Sequence, residues 1–234
     1  CSTNSNFSLT NNKIFSYPGY NEILTGNADS TINSNAKIYN KNITVLEKLN
    51  QTNNYKNKIA AFASWDVFPY IINDKRSGIP VNAGYMQEFN IKTPIVDYIN
   101  KNQIRTPVIW ENVRLDVYTH NLALEYIKKK RPKLVYIAYG ETDDFAHGVK
   151  YDFYINSLNY TDNMIAELWG YVQSNKFYKD NTYFIITTDH GRGLMEDWSG
   201  HGTSQASWLA ILGPNIEKTG LVKGEFFTNQ IAET

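Results

Sequence analysis

Cysteine, net charge and long apolar runs are all scarce in this sequence, and each scarcity excludes a class of protein. The one cysteine, Cys1, excludes an internal disulfide framework and any cysteine-rich metal site. Lysine plus arginine number 23, and aspartate plus glutamate also number 23, so no overall electric field favours nucleic acid or an anionic membrane. No apolar run approaches the roughly 20 residues of a membrane-spanning helix. We therefore predict no stable nucleic-acid partner and no membrane span, and the oligomeric state stays open.

The length of 234 residues suits one domain that can bury a full core. Residues 65–111 interrupt the regular pattern with turn-like segments, and Pro69, Pro80 and Pro107 punctuate them. We predict a single domain over residues 1–234, in which 65–111 is an insertion that lies over the active-site edge of the sheet.

Strands and helices alternate along the rest of the chain. The predicted strands are Lys58–Ser64, Leu134–Tyr139, Thr182–Thr188 and Ser207–Leu212. The predicted helices are Ile43–Asn50, Asn112–Lys130 and Asp152–Ser174, and the last has the apolar spacing of an amphipathic helix. This order predicts an α/β fold in which helices are layered on a sheet.

Three of the four histidines lie in short polar segments near strand ends, where open α/β sheets collect their catalytic groups. Asp143 and His147 follow the first of these strands at a spacing of four. In a helical turn they would project from one face and could bind one ion. A solvated helix start is the alternative reading of this pair, and Asp144 is the second choice for the carboxylate ligand. The fourth histidine, His120, lies within a predicted helix and is more typical of a packed residue.

Asp189 and His190 follow the next strand directly. Adjacent residues of a strand point to opposite sides, so the chain must turn there, and Gly191 supplies the backbone freedom. His201 would join them if the strand that follows it runs antiparallel to the others. Imidazole with carboxylate suits Zn²⁺ and tolerates Mn²⁺. A capped turn with a surface histidine is the alternative reading.

Ser16 opens the segment Ser16-Tyr17-Pro18 near the start of the chain. A hydroxyl at a helix N-terminus beside a metal ion is well placed as a nucleophile, because the ion lowers its pKa and the helix dipole stabilises the anion. The alternative is that Ser16 only caps a helix.

The order of these polar segments along the chain resembles that of the alkaline phosphatase superfamily, in particular its phosphodiesterase and phosphatase-like branch. The matching residues are Ser16-Tyr17-Pro18, Ile23-Leu24-Thr25-Gly26, Asp143, His147, Asp189-His190, His201-Gly202 and Leu212-Gly213-Pro214. The resemblance implies an α/β/α sandwich with a mostly parallel central sheet. It also implies that Ser16 is the nucleophile, that Asp143, His147 and His201 bind one ion, and that Asp189 and His190 bind a second.

The family has an asparagine at the position of Gly19, so we predict Asn21 as its substitute in substrate binding. Arg192 lies beside the Asp189-His190 pair, and we predict it as a partner for an anionic substrate, with an exposed turn arginine as the alternative reading. The resemblance also implies a strand ahead of the nucleophile that ends in a metal-binding aspartate. Residues 1–15 are polar and irregular and predict no such strand. We therefore expect the chain to be truncated at both ends.

The sequence predicts a metal-dependent hydrolase of phosphate esters that uses two divalent ions, zinc first and manganese second, and a small phosphorylated substrate. A sulfatase of the same superfamily is one alternative, although Tyr20 stands where its signature has arginine. A phosphotransferase or mutase is another. A third is a catalytically incomplete fragment that only binds ligand. The resemblance implies a periplasmic or secreted location.

Overall fold

The computed structural model describes residues 5–87, 91–202 and 205–234, which form a mixed α/β protein with mostly parallel strand pairing. The strands are β1 (Ser5–Ser8), β2 (Ile59–Ala63), β3 (Val81–Ala83), β4 (Leu134–Ala138), β5 (Phe184–Thr187), β6 (Leu209–Leu212) and β7 (Gly224–Phe227). The α-helices are α1 (Ser16–Thr25), α2 (Val45–Asn50), α3 (Phe68–Ile72), α4 (Asp74–Ser77), α5 (Pro94–Asn102), α6 (Asp116–Lys130), α7 (Glu141–His147) and α8 (Tyr151–Ser174). Two 3-10 helices cover Met195–Asp197 and Thr228–Glu233.

The chain divides into two compact units. The terminal unit comprises Cys1–Asn35 with Ile165–Thr234, and the central unit comprises Ala36–Met164. Helix α8 begins in the central unit and ends in the terminal unit. The prediction of a single domain over the whole chain stays a prediction.

The central unit is built on the parallel sheet β3–β2–β4. Every residue of β2 is buried, as expected for a central parallel strand that is covered on both faces. Helix α6 packs against β2 and β4, and Phe62, Leu122 and Tyr126 meet in the core beneath it. Because Ala63 lies beside Ala138, the two strands end at one edge of the sheet, where α7 begins.

The terminal unit contains two strand pairs. Strands β5 and β6 are antiparallel, with Thr187 beside Leu209. The start of β6 therefore lies beside the end of β5, as predicted for the strand that follows His201. Trp169 of α8 packs edge-on against Phe184, with ring centroids 5.3 Å apart.

The second strand pair corrects the expectation that residues 1–15 form no strand. Strand β1 pairs in parallel with β7, so that Phe7 lies beside Phe226. The sequence of β1 is polar and has no alternating pattern, and its partner lies more than 200 residues further along the chain. Pairing supplied from so far away leaves no local signal in the sequence.

The four predicted strands and three predicted helices are confirmed, with differences at their ends. The largest is at α6, which begins at Asp116 and not at Asn112. Val113 instead forms a bridge to Trp65, and the Arg114 N–H donates to the Ser64 carbonyl at 3.0 Å. These residues extend the sheet edge, because β2 offers backbone partners that a helix would leave unpaired.

The predicted insertion at 65–111 contains α3, α4, β3 and α5, of which β3 joins the sheet beside β2. Its role as an insertion over the active-site edge stays a prediction. Over the residues that the structure describes, every helix is too short or too polar to cross a lipid bilayer.

Candidate functional site

Asp189 and His190 lie directly beyond strand β5, at the place the sequence predicts. The Asp189 Oδ2 lies 3.4 Å from the His190 Nε2, so the chain turns to bring these adjacent side chains together. Both are shielded from solvent, with 4% of the His190 side chain and 16% of the Asp189 side chain exposed.

The two ring nitrogens of His190 have different neighbours. The His190 Nδ1 lies 3.0 Å from the Gly191 carbonyl oxygen. Since a carbonyl oxygen only accepts, this contact assigns the proton to Nδ1. Nε2 lies on the side of Asp189, and metal-binding histidines are commonly oriented in this way by a bond from their other nitrogen.

Ser16 is the first residue of α1, as predicted, and its Oγ lies 3.4 Å from the His190 Nε2. Phe15 precedes the helix in an extended conformation and makes no side-chain cap. The helix dipole at this end favours negative charge. The hydroxyl therefore stands where an alkoxide would be stabilised.

Gly19 explains how α1 can approach the end of β5 so closely. A Cβ added at this position would overlap the Asp189 carbonyl oxygen. The glycine that replaces the family's asparagine thus permits direct contact between the first turn of α1 and the backbone of a predicted metal ligand.

His201 also lies beside His190, with ring centroids 3.9 Å apart and ring planes 37° apart. The loop between them is closed by a hydrogen bond of 3.0 Å from the Gly193 N–H to the Gly200 carbonyl. A second hydrogen bond across the same loop runs from the Arg192 Nη1 to the Ser199 carbonyl at 3.2 Å. Its role in binding an anionic substrate stays a prediction.

Asn21, predicted to bind substrate, is fully buried in α1. Its Nδ2 donates to the Asn27 carbonyl at 2.9 Å. The amide closes a turn inside the terminal unit in this conformation, and its role in substrate binding stays a prediction.

Glu22 is a residue that the sequence reasoning missed. Its carboxylate is fully buried and accepts from the backbone N–H groups of Thr10 at 2.7 Å and Asn11 at 2.9 Å. The Asn11 Nδ2 and the Thr228 hydroxyl also donate to it. This acid holds α1 against the segment that follows β1. An acid among the apolar residues Tyr17, Ile23 and Leu24 was the available signal.

In the central unit, Asp143 and His147 lie on one face of α7, as their spacing predicts. The His147 Nε2 is 3.3 Å from the Asp143 Oδ2. The side chain of His147 is 44% exposed and that of Asp143 is 33% exposed. Asp143, the first choice of ligand, thus contacts His147, and its role as a metal ligand stays a prediction.

A buried polar network surrounds the start of α7. Asp116 is almost fully buried, and burial, together with the neighbouring Glu141, raises its pKa from 3.8 to about 7. Burial also raises the pKa of Glu141. The buried Arg114 donates from Nε to the Thr119 hydroxyl at 2.8 Å and from Nη1 to the side-chain amide oxygen of Asn82, Oδ1, at 2.5 Å.

Comparison with known proteins agrees with this fold. The family model described as the metalloenzyme superfamily matches residues 16–229. The lipoteichoic acid synthase LtaP from Listeria monocytogenes is similar over 98% of this chain and 60% of its own, with a TM-score of 0.63 and 15% identity. The alkaline phosphatase from the Antarctic bacterium TAB5 is similar over 99% of this chain and 86% of its own, with a TM-score of 0.57 and 16% identity.

A protein of the alkaline phosphatase superfamily from Vibrio parahaemolyticus is similar over 98% of this chain and 55% of its own, with a TM-score of 0.57 and 13% identity. The present chain thus spans about 60% of the length of the Listeria protein. Comparison with curated proteins found no match.

Proposed function

Because this chain belongs to the metalloenzyme superfamily and has an alkaline phosphatase-like fold, we propose that it is a metal-dependent hydrolase of phosphate esters with Ser16 as its nucleophile. The substrate is a small phosphorylated molecule. By family resemblance, we place the protein in the periplasm or outside the cell.

The observation that carries this proposal is the cluster of Ser16, Asp189 and His190. The His190 Nε2 lies 3.4 Å from the Ser16 Oγ and 3.4 Å from the Asp189 Oδ2, while its Nδ1 is engaged by a backbone carbonyl. A hydroxyl, a carboxylate and an imidazole nitrogen at this spacing could share one divalent ion. These donors fit a divalent ion, zinc first and manganese second.

Asp189 and His190 would hold one such ion. Asp143 and His147 offer a second carboxylate–imidazole pair of the same donor type, and we propose them as ligands of another ion. The assignment of His201 to the same ion as Asp143 and His147 is a prediction from the sequence. A bound divalent ion would lower the pKa of the Ser16 hydroxyl and neutralise the phosphate oxygens.

In the proposed reaction, the Ser16 Oγ attacks the phosphorus and the bond from phosphorus to the ester oxygen breaks, so that the alcohol leaves. The phosphoryl group then resides on Ser16. Water attacks the phosphorus in a second step, the bond to Oγ breaks, and phosphate and free Ser16 result. The N-terminus of α1 stabilises the negative charge on Oγ in both steps.

A test must distinguish the hydrolysis of phosphate esters from the hydrolysis of sulfate esters and from phosphoryl transfer to an alcohol. The three chromogenic probes are p-nitrophenyl phosphate, bis-p-nitrophenyl phosphate and p-nitrophenyl sulfate, each assayed with added Zn²⁺ or Mn²⁺. Hydrolysis of a phosphate probe is expected. Hydrolysis of the sulfate alone would support the sulfatase alternative and contradict our proposal.

Replacement of the nucleophile tests the role of Ser16. Ser16→Ala should abolish hydrolysis and leave folding unchanged, because it removes only the attacking oxygen. Ser174→Ala is the matched control, since the Ser174 hydroxyl donates to the Tyr171 carbonyl at 2.9 Å at the end of α8. Near-normal turnover in Ser16→Ala would contradict the proposed nucleophile.

A further inference from the structure

Helix α7, which carries Asp143 and His147, has only seven residues and begins after Gly140 without a side-chain cap of its own. A helix this short is marginal by itself, so its position depends on contacts with other elements. Its first N–H groups also need acceptors from outside the helix.

Asp116 supplies these acceptors. Its Oδ1 accepts from the Gly140 N–H at 2.7 Å, and its Oδ2 accepts from the Glu141 N–H at 3.0 Å. Gly140 is packed so closely that an added Cβ would lie 2.8 Å from the Val113 Cγ1. One carboxylate therefore accepts hydrogen bonds from two consecutive N–H groups at the start of α7.

Glu141 in turn accepts a hydrogen bond from Asp116. Its Oε1 accepts from the Asp116 N–H at 2.7 Å. Asp116 and Glu141 are each the first residue of their helix, α6 and α7, and the residue preceding each helix makes no side-chain cap. The two acids thus cap each other's helices, which fixes the two helix starts against one another.

The remaining contacts of Asp116 tie this reciprocal cap to the sheet. The Ser64 hydroxyl, just beyond β2, donates to the Asp116 Oδ1 at 2.5 Å and lies 2.7 Å from the Thr119 hydroxyl. All three residues are almost fully buried. A serine or asparagine would cap either helix without burying an acid, and a buried carboxylate is costly to desolvate. The acid pair is thus better explained by the precise placement of α7 than by helix stability alone.

We propose that Asp116 and Glu141 are positioning residues that hold Asp143 and His147 in the orientation needed to bind a divalent ion. This inference rests on the proposed function, which makes Asp143 and His147 metal ligands. Neither Asp116 nor Glu141 needs to touch the ion or the substrate for this role.

The packing of Phe145 is a second restraint on α7 that the test must separate from the cap. The Phe145 ring lies 4.7 Å from Trp110 and 5.2 Å from Phe153, measured between ring centroids. Removing the cap should therefore tilt α7 without unfolding it.

The experiment measures the Zn²⁺ affinity of the full chain by chelator competition, and the absorption spectrum of the Co²⁺-loaded protein. Asp116→Asn replaces one acceptor oxygen with a donor, and Glu141→Met removes the acceptor of the Asp116 N–H. Both should weaken binding of the ion held by Asp143 and His147 by about 10- to 100-fold, the usual range for residues that orient metal ligands. Both should also change the Co²⁺ spectrum.

Glu141→Gln is the conservative rescue, because its amide oxygen can still accept from the Asp116 N–H. We expect its Zn²⁺ affinity and Co²⁺ spectrum to match the wild type. Leu122→Ala is the stability control, since it removes a core contact of α6 without touching the cap. It should lower thermal stability but leave the metal affinity and spectrum unchanged.

Two results would overturn the inference. One is wild-type affinity in folded Asp116→Asn or folded Glu141→Met, and the other is an equal loss of affinity in Leu122→Ala. If Asp116→Asn does not fold, the comparison of the Zn²⁺ affinities of Glu141→Met and Glu141→Gln tests the positioning role by itself. His147→Ala separates this inference from the proposed function. If His147→Ala binds metal like the wild type, the ligand assignment fails. If it binds weakly while the cap variants bind normally, only the positioning role fails.

Discussion

The two candidate ligand pairs contain the same chemical groups but are held in different ways. In the terminal unit, the side chains of Asp189 and His190 are largely buried, and Gly19 packs directly on the backbone of Asp189. In the central unit, Asp143 and His147 are partly exposed on a short helix. The first pair is fixed by close packing, whereas the second is fixed by hydrogen bonds at a helix start. Substitutions that change side-chain volume should therefore affect the first pair most. Substitutions that remove hydrogen bonds, and changes in metal concentration, should affect the second pair most.

The largest expected effect is that of His190→Ala in the terminal unit. This change removes the nitrogen that faces both Ser16 and Asp189, so ester hydrolysis should fall by about a thousandfold or more, because metal-ion catalysis contributes several kcal/mol. The rate should not recover when metal is added. Initial rates across a metal titration, with circular dichroism to verify folding, check this expectation, and full recovery would contradict it.

His147→Ala in the central unit should have a smaller effect that metal supply can offset. The pair is partly exposed, so water can replace the lost imidazole. We expect hydrolysis at low metal concentration to fall by about 10- to 100-fold, comparable to other losses in metal affinity. Saturating metal should restore most of the rate. A deficit that is independent of metal concentration would show that the two pairs do not differ in this way.

Gly19→Ala tests the close packing of the terminal unit. The added methyl group would overlap the Asp189 carbonyl oxygen, so we expect a loss of about 1–3 kcal/mol in the free energy of unfolding and a loss of activity. Gly170→Ala in α8 is the matched control, because no heavy atom lies near the position of its Cβ. It should raise stability by up to about 1 kcal/mol. Equal effects of the two changes on urea unfolding would contradict the packing argument.

A pH dependence of stability, with no change of metal ligand, is expected from the central unit. The pKa of Asp116 is raised from 3.8 to about 7, so the folded chain retains a proton there that the unfolded chain has released. The contribution of Asp116 to the free energy of unfolding is therefore full below about pH 4 and declines as the pH rises to about 7. Urea unfolding should show the wild type losing stability relative to Asp116→Asn across this window. A stability difference that does not vary with pH would be inconsistent with the raised pKa.

The sequence predicted those features that leave a local pattern. The strand Ile59–Ala63 appears as a short apolar run, and helix α8 as an amphipathic period. The turn at Asp189-His190 follows from the glycines beside it, and the pairing of Asp143 with His147 follows from their spacing of four. Family resemblance added the role of Ser16, which begins a helix as expected.

Features that depend on distant partners were not predictable in the same way. Strand β1 exists because β7 pairs with it, although its own sequence is polar. Glu22 and Asp116 each look like ordinary helical acids, but their acceptor roles depend on N–H groups from other segments. The hydrogen bond from the Asn21 amide to the Asn27 carbonyl also has no signal in the motif that contains Asn21.

The central claim is that Ser16 carries the phosphoryl group during turnover, and its modification state tests this most directly. The protein, loaded with Zn²⁺ or Mn²⁺, would be quenched in acid while it hydrolyses a p-nitrophenyl phosphate ester, and its peptides would be analysed by mass spectrometry. We expect a phosphoryl group on Ser16 in the wild type, and neither phosphorylation nor turnover in Ser16→Ala. Turnover that leaves Ser16 unmodified in the wild type and persists in Ser16→Ala would contradict this claim.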